Sequence, residues 1–344
     1  MNGFYGECLR LEIFGQSHAE SVGMTLEGVP AGARVDFDAL LRFMQRRAPG
    51  RSEYATARRE ADVPEFTSGL CGGEADGTPI TAVIRNTDVR PQDYDALRTV
   101  PRPGHADYSA WLRYGSIPTG GGEFSGRMTA PLCVAGGICL QMLENEGVSI
   151  QARVAEIGGA HDEKAMHDKI MQAKAEGDSV GGVIECAAVG VPAGIGSPFF
   201  GSVESVVSQL AFSIPAVKAV EFGDGRLLAG MRGSQANDPM RMQDGQIVCT
   251  SNHNGGVTGG ITNGMPVVFR VAVKPTPSIA QEQQTIDVGK RENTQLIIAG
   301  RHDPCIVPRA VVVVESILAI ALCELMMDDA AQNAMGTVEG TVGA

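Results

Sequence analysis

The sequence predicts an α+β protein, and three observations lead to this fold class. The chain has 344 residues, of which 43% are hydrophobic and 20% are charged, so it is long and apolar enough to bury a large core. Segments with the alternation of strands and segments with the spacing of helices both occur, but they do not alternate strictly along the chain. That order favours α+β over a doubly wound parallel sheet. No internal repeat of roughly 20–50 residues is present, which excludes a solenoid.

The N-terminal part predicts a strand pair, a helix and a further strand. Residues 9–14 and 23–29 alternate between apolar and polar side chains, and the loop GQSHAES connects them. Residues 36–47 have helical apolar spacing, Asp36 is a typical N-cap, and the segment APGR ends the helix. The segment ITAVIRN at 80–86 predicts another strand, because branched apolar residues favour the extended conformation.

The middle of the chain predicts a buried helix and two strands that flank a polar helix. Residues 129–146 are almost continuously apolar, and Gly147 ends this helix. The segments 149–158 and 180–191 predict strands, and the polar segment 161–176 between them predicts a helix.

The C-terminal part predicts a helix, two strands and a closing helix. These are the helix 201–214, the strands 216–223 and 264–273, and the helix 308–329. The closing helix carries Glu315 and Glu324 within its apolar run, which favours a buried helix over a membrane span. No polar linker divides the chain, so we expect a single domain over 1–344, with a frayed tail from about residue 330.

The charge of the chain limits its partners. A net charge of −12 disfavours nucleic acid and anionic membranes. An anionic ligand would therefore need locally concentrated cations, and six arginines lie between residues 42 and 59. Both a binding surface and a solvated helix face are compatible with this cluster. The N-terminus lacks a signal-peptide pattern, and no cysteine spacing is typical of a zinc site, so we expect a cytoplasmic protein without a metal.

Two histidines lie in loops where proton chemistry is plausible. His18 follows Ser17 in the loop between the first two predicted strands, flanked by Gly15 and Gly23. His105 follows a proline–glycine turn, and Asp107 is near enough in sequence to orient its ring. A packed structural histidine is the alternative interpretation at both positions.

Four further loops have the composition of ligand-binding segments. Glycines at 120–122 precede Arg127 and a helix, an arrangement that binds anions at other helix N-termini. The segment 251–264 is glycine-rich, and KPTPSI at 274–279 alternates polar side chains after a strand. The segment GRHDPCIVPR at 300–309 concentrates ionisable residues before the closing helix. Tight turns are the alternative in each case. Together these loops indicate an enzyme or binder for phosphorylated anions that uses histidine acid–base chemistry.

The loops, in their order along the chain, resemble the chorismate synthase family. The similarity runs through FGQSHAESVG, RRAPGRS, SGLCGGEADGTPI, IRNTDVRPQDY, RPGHADY, GGGEFSGRMTA, SNHNGGVTGGITNG, KPTPSI and GRHDPCIVPRA, and it covers roughly residues 5 to 328. One such segment alone would be modest support, but their ordered occurrence is very specific. The resemblance implies a β-α-β sandwich with helices between two antiparallel sheets, and a homotetramer.

The resemblance also implies a reaction and its cofactor. The family converts 5-enolpyruvylshikimate 3-phosphate to chorismate by an anti 1,4-elimination of phosphate, which makes it a carbon–oxygen lyase of the shikimate pathway. It requires reduced FMN, and NADPH only where the enzyme reduces its own flavin. A flavin-binding paralogue with weak or lost lyase activity is the alternative, and a metal hydrolase is a more distant one.

Family roles transfer to matching residues of this sequence. His18 corresponds to the histidine proposed to act near the departing phosphate, His105 to the one proposed to protonate the reduced flavin, and Asp303 to the aspartate linked to deprotonation. The implied substrate ligands are Ser17, Arg47, Arg127 and Arg301. The implied FMN contacts are Glu123, Phe124, Ser125, Gln235, Ala236, Gly260, Lys274, Pro275, Thr276, Pro277, Ser278 and Arg301. Arg47 and Glu53 occupy positions linked to nicotinamide binding.

The first signature of the family is altered here. The family pattern is G-E-S-H-G, whereas this chain has GQSHA, so Gln16 replaces a carboxylate and Ala19 replaces a glycine. Alanine would be strained at position 19 if that residue needed a positive φ. Glu123 and Glu53 also occupy positions that are often basic in the family. These changes bear on the activity and on flavin reduction, and not on the fold.

Overall fold

Two antiparallel sheets enclose a layer of helices in the structure, a computed structural model that describes residues 4–48, 60–87, 98–298 and 303–340. The strands are β1 Phe4–Tyr5, β2 Arg10–Gly15, β3 Ser21–Glu27, β4 Glu65–Ser68, β5 Leu70–Cys71, β6 Glu74–Ala75, β7 Ile80–Arg85, β8 Ser149–Ile157, β9 Gly182–Val189, β10 Val217–Phe222, β11 Met240–Gln243, β12 Gln246–Cys249, β13 Val257–Thr258, β14 Ile261–Thr262, β15 Val267–Val273, β16 Gln283–Asp287 and β17 Glu292–Leu296. The helices are α1 Phe37–Arg47, α2 Asp107–Tyr114, α3 Thr129–Asn145, α4 Glu163–Ala175, α5 Val203–Ser213, α6 Gly233–Ala236 and α7 Val307–Gly340.

Each sheet buries one face against the helices. The first has the strand order β1-β2-β3-β7-β4 and the second β10-β15-β9-β8. Buried and less buried residues alternate along the central strands, as at Val22, Met24 and Leu26 of β3, because successive side chains of a strand point to opposite faces. One continuous core joins the inner faces of both sheets to the helices between them.

The helical layer is built around two apolar helices. α3 packs against β3 and β7 of the first sheet, and α7 packs against β8 and β9 of the second. The two helices also pack on each other, with α1 and α5 beside α7. The predicted α+β class and the predicted sandwich with helices between two antiparallel sheets are therefore confirmed.

The elements predicted from the sequence are found, with boundaries shifted by a few residues. Sequence reasoning missed α2 and the two exposed hairpins, β11–β12 and β16–β17. The hairpin β16–β17 was missed because its strands, QQTID and ENTQL, are almost entirely polar, and β11–β12 was missed because strands of four residues are too short for a clear pattern. α7 extends to Gly340, beyond residue 330 where a frayed tail is expected.

α7 is a core helix, as its sequence predicts. It is long and apolar enough to cross a membrane by length and composition, but 83% of its most apolar window is buried inside the protein. Its two carboxylates have internal partners. Glu315 accepts two hydrogen bonds from Arg46, at 2.7 and 2.9 Å, and Glu324 accepts backbone hydrogen bonds from residues 7–9.

A pair of glycines sets the distance between the central helices. A Cβ atom on Gly136 of α3 would lie 2.2 Å from Cβ and 2.5 Å from Cα of Ser316 on α7. A Cβ on Gly137 would lie 2.4 Å from Leu40 of α1. Position 136 admits only glycine, because a methyl group there would force the backbones of α3 and α7 apart, whereas the contact at Gly137 is with side-chain atoms.

We therefore expect Gly136→Ala to destabilise the protein, although alanine is the better helix former by about 1 kcal/mol. Overpacking of a core typically costs about 1–3 kcal/mol, and here the contact includes backbone. Gly230→Ala is the control, since nothing lies within 4 Å of its Cβ position. Urea unfolding of both variants measures the difference. A Gly136→Ala variant as stable as the native protein would contradict the close approach.

Candidate active site

His18 lies against the glycine-rich loop. It belongs to the connection between β2 and β3, where the buried Ser17 places its Oγ 3.1 Å from Nδ1 of His18 and donates to the carbonyl oxygen of Gly120 at 3.1 Å. A Cβ on Gly120 would come within 2.1 Å of the His18 ring, and its φ is +63°. Glycine is therefore required there for two independent reasons, and the histidine is held in contact with the loop.

His105 is held by a buried carboxylate. Its Nδ1 lies 2.5 Å from Oδ1 of Asp107, the first residue of α2. Asp107 also accepts hydrogen bonds from the guanidinium of Arg102, at 2.7 and 2.9 Å. Burial alone would raise the pKa of Asp107, but the hydrogen bonds and charges of Arg102 and His105 outweigh it and hold this pKa well below its usual range. The ionised carboxylate favours the proton on Nδ1 and leaves Nε2 as the nitrogen that can accept.

The glycine loop brings the two histidines together. Gly120 contacts the His18 ring, and a Cβ on the adjacent Gly121 would lie 3.0 Å from Cε1 and 3.1 Å from Nε2 of His105. Gly120, Gly121 and Gly122 all have positive φ. Residues separated by 87 positions in the sequence thus flank two consecutive glycines.

The segment 274–278 lies beside His105. Nζ of Lys274 donates a short hydrogen bond to the carbonyl oxygen of Gly104, and Nη1 of Arg102 donates to Oγ of Ser278 at 3.3 Å. Burial, with a smaller effect of the nearby Lys218, lowers the pKa of Lys274. Thr276 donates to the carbonyl oxygen of Asp303 at 3.0 Å, which joins this segment to the start of α7.

Three arginines and two aspartates continue the site. Arg309 of α7 pairs with Asp303 at 2.5 Å and donates from Nε to the carbonyl oxygen of Arg47 at 3.2 Å. Arg47, at the end of α1, donates to one oxygen of Asp62, at 3.0 and 2.7 Å. Arg127 donates to the other oxygen of Asp62. Burial would raise the pKa of Asp62, but the two guanidinium groups lower it.

Asn86 closes the circle of contacts. Its Oδ1 accepts from Nε of Arg127 at 2.9 Å, and its Nδ2 donates to the carbonyl oxygens of Gln16 and Ala19, at 3.1 and 2.8 Å. The chain of contacts therefore returns to the His18 loop. We call this closed circle the site ring. Its members are His18, Gly120, Gly121, His105, Arg102, Asp107, Lys274, Thr276, Ser278, Asp303, Arg309, Arg47, Asp62, Arg127 and Asn86.

The predicted site residues fall into three groups. Ser17, His18, Arg47, His105, Arg127, Lys274, Thr276, Ser278 and Asp303 belong to the site ring or contact it directly. Glu123, Phe124 and Ser125 continue its glycine loop and are half-buried, and Pro275 and Pro277 lie within the segment 274–278. Glu53 and Arg301 lie outside the described residues, as do Arg51, Arg58 and Arg59.

Three other predicted flavin contacts, Gln235, Ala236 and Gly260, make hydrogen bonds to neighbours outside the site ring. Gln235 and Ala236 belong to α6, where the Gln235 side chain accepts from the backbone N–H of Arg232. Gly260 packs against Ser197 and Ser202 and accepts a hydrogen bond from Val203. Within the described part of the chain, no hydrogen bond recorded for these three residues connects them to the site ring.

Of the basic segment 42–59, the structure describes residues 42–48, and the three arginines among them have different surroundings. Arg42 is exposed, Arg46 pairs with Glu315, and Arg47 is only 2% exposed at the site ring. Arg127 is similarly buried, at 6%. Two of the three predicted substrate arginines, Arg47 and Arg127, therefore already bind Asp62, which orients them and occupies several of their donors.

Ala19 fits its position without strain. It is not among the non-glycine residues with a positive φ, and its carbonyl oxygen is held by Asn86. The replacement of the family's glycine is thus compatible with the backbone of this loop.

Sequence reasoning did not single out Arg102, Asp62, Asn86 or Arg309. Each of these residues lies in or near a segment that the sequence analysis discussed. No local sequence pattern, however, distinguishes a polar residue that is buried and bonded to two partners from one that faces solvent. Among the described residues, no three His, Cys, Asp or Glu side chains form a cluster suited to a metal ion.

Comparison with known proteins gives one family, the chorismate synthases. The model of the chorismate synthase family matches residues 9–327. The chorismate synthase of Lancefieldella parvula is 42% identical over 367 aligned positions, which cover 95% of this chain and 96% of that protein. The chorismate synthase of Korarchaeum cryptofilum is 43% identical and covers 94% of this chain and 97% of its own length. A solved structure described as a crystal structure of chorismate synthase has a TM-score of 0.72 at 26% identity, covering 94% of this chain and 93% of that chain.

The depressed pKa of Asp107 predicts a pH-dependent stability difference. We expect Asp107→Asn to cost about 3–5 kcal/mol near neutral pH, because it leaves the buried Arg102 without its counter-charge. A carboxyl group whose pKa is lowered in the folded state stabilises the fold at pH values above its ordinary pKa of 3.8. This stabilisation declines as the pH falls below 3.8. The difference in the free energy of unfolding between the native protein and the variant should thus be constant from pH 7 to 5 and about 1 kcal/mol smaller at pH 3.

Urea unfolding of the native protein and the variant at these pH values provides the measurement. Asp244→Asn is the control, since Asp244 is exposed on the turn of the hairpin β11–β12. An unfolding difference for Asp107→Asn that does not change with pH would show that this carboxyl is not held ionised by its neighbours.

Proposed function

Because this chain belongs to the chorismate synthase family, we propose that it converts 5-enolpyruvylshikimate 3-phosphate to chorismate with reduced FMN as its cofactor. The reaction is an anti 1,4-elimination that removes a proton and inorganic phosphate. The observation that carries the proposal is the placement of His18 and His105 against adjacent glycines of one loop. This arrangement supplies two titratable groups within one small site.

The donors of the site ring fit a flavin phosphate. An FMN phosphate needs several fixed donors, and Lys274, Thr276 and Ser278 offer an amine and two hydroxyls on one short segment. The glycines at 120 and 121 let the imidazole rings of His18 and His105 lie close to the backbone of this loop, so both rings are held beside the phosphate-binding segment. When bound, reduced FMN would supply electron density as the phosphate leaves and would help to take up the proton.

Different residues of the protein would transfer protons and stabilise the negative charges of the substrate. His105, oriented by Asp107, can exchange a proton at Nε2 near the flavin segment. His18, beside Ser17, can donate to the departing phosphate. Asp303 is the carboxylate assigned to deprotonation, and Arg47 and Arg127 would contribute positive charge toward the substrate anions. The catalytic benefit comes from donors that the site ring fixes before substrate binds.

The alternative function is an FMN-binding paralogue with weak or lost lyase activity. The replacement of a carboxylate by Gln16 favours this alternative, since a glutamine beside His18 provides no charge to stabilise an imidazolium. The retention of both histidines and of Asp303 favours the lyase. NADPH would be a second ligand only if the protein reduces its own flavin.

We also propose a homotetrameric, cytoplasmic protein. Self-association is supported by large apolar side chains on the surface, including Phe199 and Phe200, which are 84% and 95% exposed. Met242 and Ile247 form a further exposed apolar pair across the hairpin β11–β12. A reducing compartment is supported by eight cysteines that are all free thiols.

Phosphate release from the enolpyruvyl substrate tests the activity. The assay uses chemically reduced FMN without oxygen, so that flavin reduction does not limit the rate. We expect turnover by the native protein, and a loss of about a hundredfold or more in His18→Ala and in His105→Ala, the usual scale for a positioned acid–base group. His161→Ala, on the exposed turn before α4, is the control. Absence of turnover by the native protein with FMN bound would favour the paralogue. Full rates from pH 6 to 8 in either variant would exclude that histidine as a proton carrier.

Flavin binding gives a separate prediction. Lys274→Met removes one charged donor, and we expect it to weaken FMN binding by about tenfold or more. Lys218→Met removes an equal charge from an exposed position nearby and should leave the FMN affinity within about twofold, because exposed charges are screened. Fluorescence titration of FMN measures both variants. Equal affinities for the two variants would show that Lys274 does not contact the flavin phosphate.

A further inference from the structure

Asp303 and Arg309 form a largely buried ion pair at the start of α7. Nη1 of Arg309 lies 2.5 Å from Oδ2 of Asp303, and the two side chains are only 25% and 11% exposed. The backbone of Asp303 is fixed as well, because its carbonyl oxygen accepts a hydrogen bond from Thr276. A charge-assisted hydrogen bond with this much burial orients both partners more strongly than an exposed pair does.

The position of Arg309 within α7 is unfavourable for a cation. It is the third residue of a helix that begins at Val307, and a positive charge in the first turn opposes the helix dipole. Burial also lowers the pKa of Arg309, whereas the charge of Asp303 raises it. The carboxylate of Asp303 is therefore the group that offsets the cost of an arginine at this position.

Arg309 also connects Asp303 to the opposite side of the site ring. Its Nε donates to the carbonyl oxygen of Arg47, the last residue of α1. One planar guanidinium thus bonds the end of α1 and the carboxylate that precedes α7. Because the donors of a guanidinium have a fixed geometry, the two contacts together restrict where the Asp303 carboxylate points.

We propose that Arg309 is a positioning residue that fixes the Asp303 carboxylate for its part in proton transfer. This inference rests on the proposed function, in which Asp303 assists deprotonation. Arg309 acts through Asp303 and not on the substrate. A lysine would preserve the charge but would lose the simultaneous contact with α1.

Several charged or titratable groups surround this pair. Arg309 faces Asp303 from α7, and Arg47 and Asp62 act on Arg309 from the α1 side. The thiol of Cys305 is buried and feels the charge of Asp303, and burial raises the pKa of Cys305 to about 11, so it stays neutral over the working pH range. Removal of Arg309 takes away a cation that contacts the carboxylate, and with it the bond that joins Asp303 to the end of α1.

The test compares Arg309→Met and Arg309→Lys with the native chain. In Arg309→Met we expect kcat to fall by about tenfold or more, because the Asp303 carboxylate loses the contact that fixes its direction. KM and the FMN dissociation constant should stay within about threefold, because Arg309 is not a ligand. Arg309→Lys should restore only part of kcat, because a lysine keeps the charge but not both contacts. Arg153→Met, which breaks an exposed pair with Glu185, is the control and should change none of these values.

A second measurement tests the pair without turnover. Urea unfolding of Arg309→Met, Asp303→Asn and the double variant forms a double-mutant cycle. If the two side chains act as a pair, the unfolding equilibrium constant of the double variant should lie within about threefold of that of Arg309→Met. Additive effects in this cycle, or an unchanged kcat in Arg309→Met, would overturn the inference. If the native chain released no phosphate, the proposed function would fail instead, and the unfolding cycle would still decide whether Arg309 holds Asp303.

Discussion

The spacing of α3 and α7 is the constraint on which the other layers depend. The helices α3 and α7 lie between the two sheets, and the distance between them is set where they approach at Gly136 and Ser316. The same packing fixes the ends of three helices at one edge of the layer. Arg47 at the end of α1 donates to Thr129 at the start of α3, and Arg309 near the start of α7 donates back to Arg47. The site ring is thus an extension of the core packing.

The electrostatics of the site explain how an acidic protein can hold an anion. Its cations are concentrated internally and paired before any ligand binds, with Arg102 on Asp107, Arg309 on Asp303, and both Arg47 and Arg127 on Asp62. Buried pairs of this kind add little net stability, because desolvation of the charges opposes their attraction. Their benefit is a fixed geometry of donors, which lowers the cost of orienting a charged substrate.

The glycines at 120–122 contribute to the site because they have no side chains. The rings of His18 and His105 occupy the space that side chains at Gly120 and Gly121 would fill. Positive φ at three consecutive residues is accessible to glycine at little cost, and a different residue at any of the three would be strained. Strained backbone near chemistry also occurs at Asp62, whose φ is +51° although it is not glycine. Its two arginine partners hold the carboxylate in place.

The sequence by itself determined the α+β class, the main helices and strands, and the family, because apolar periodicity and the order of the loop motifs are local properties of the chain. It also singled out His18, His105 and Asp303. It did not indicate that one loop joins the histidines, or that Asp62, Asn86 and Arg309 complete the circle. Those contacts connect residues up to 262 positions apart, as for Arg309 and Arg47. Only the packing of the helices between the sheets decides which distant side chains meet, since burial and pairing depend on the whole fold.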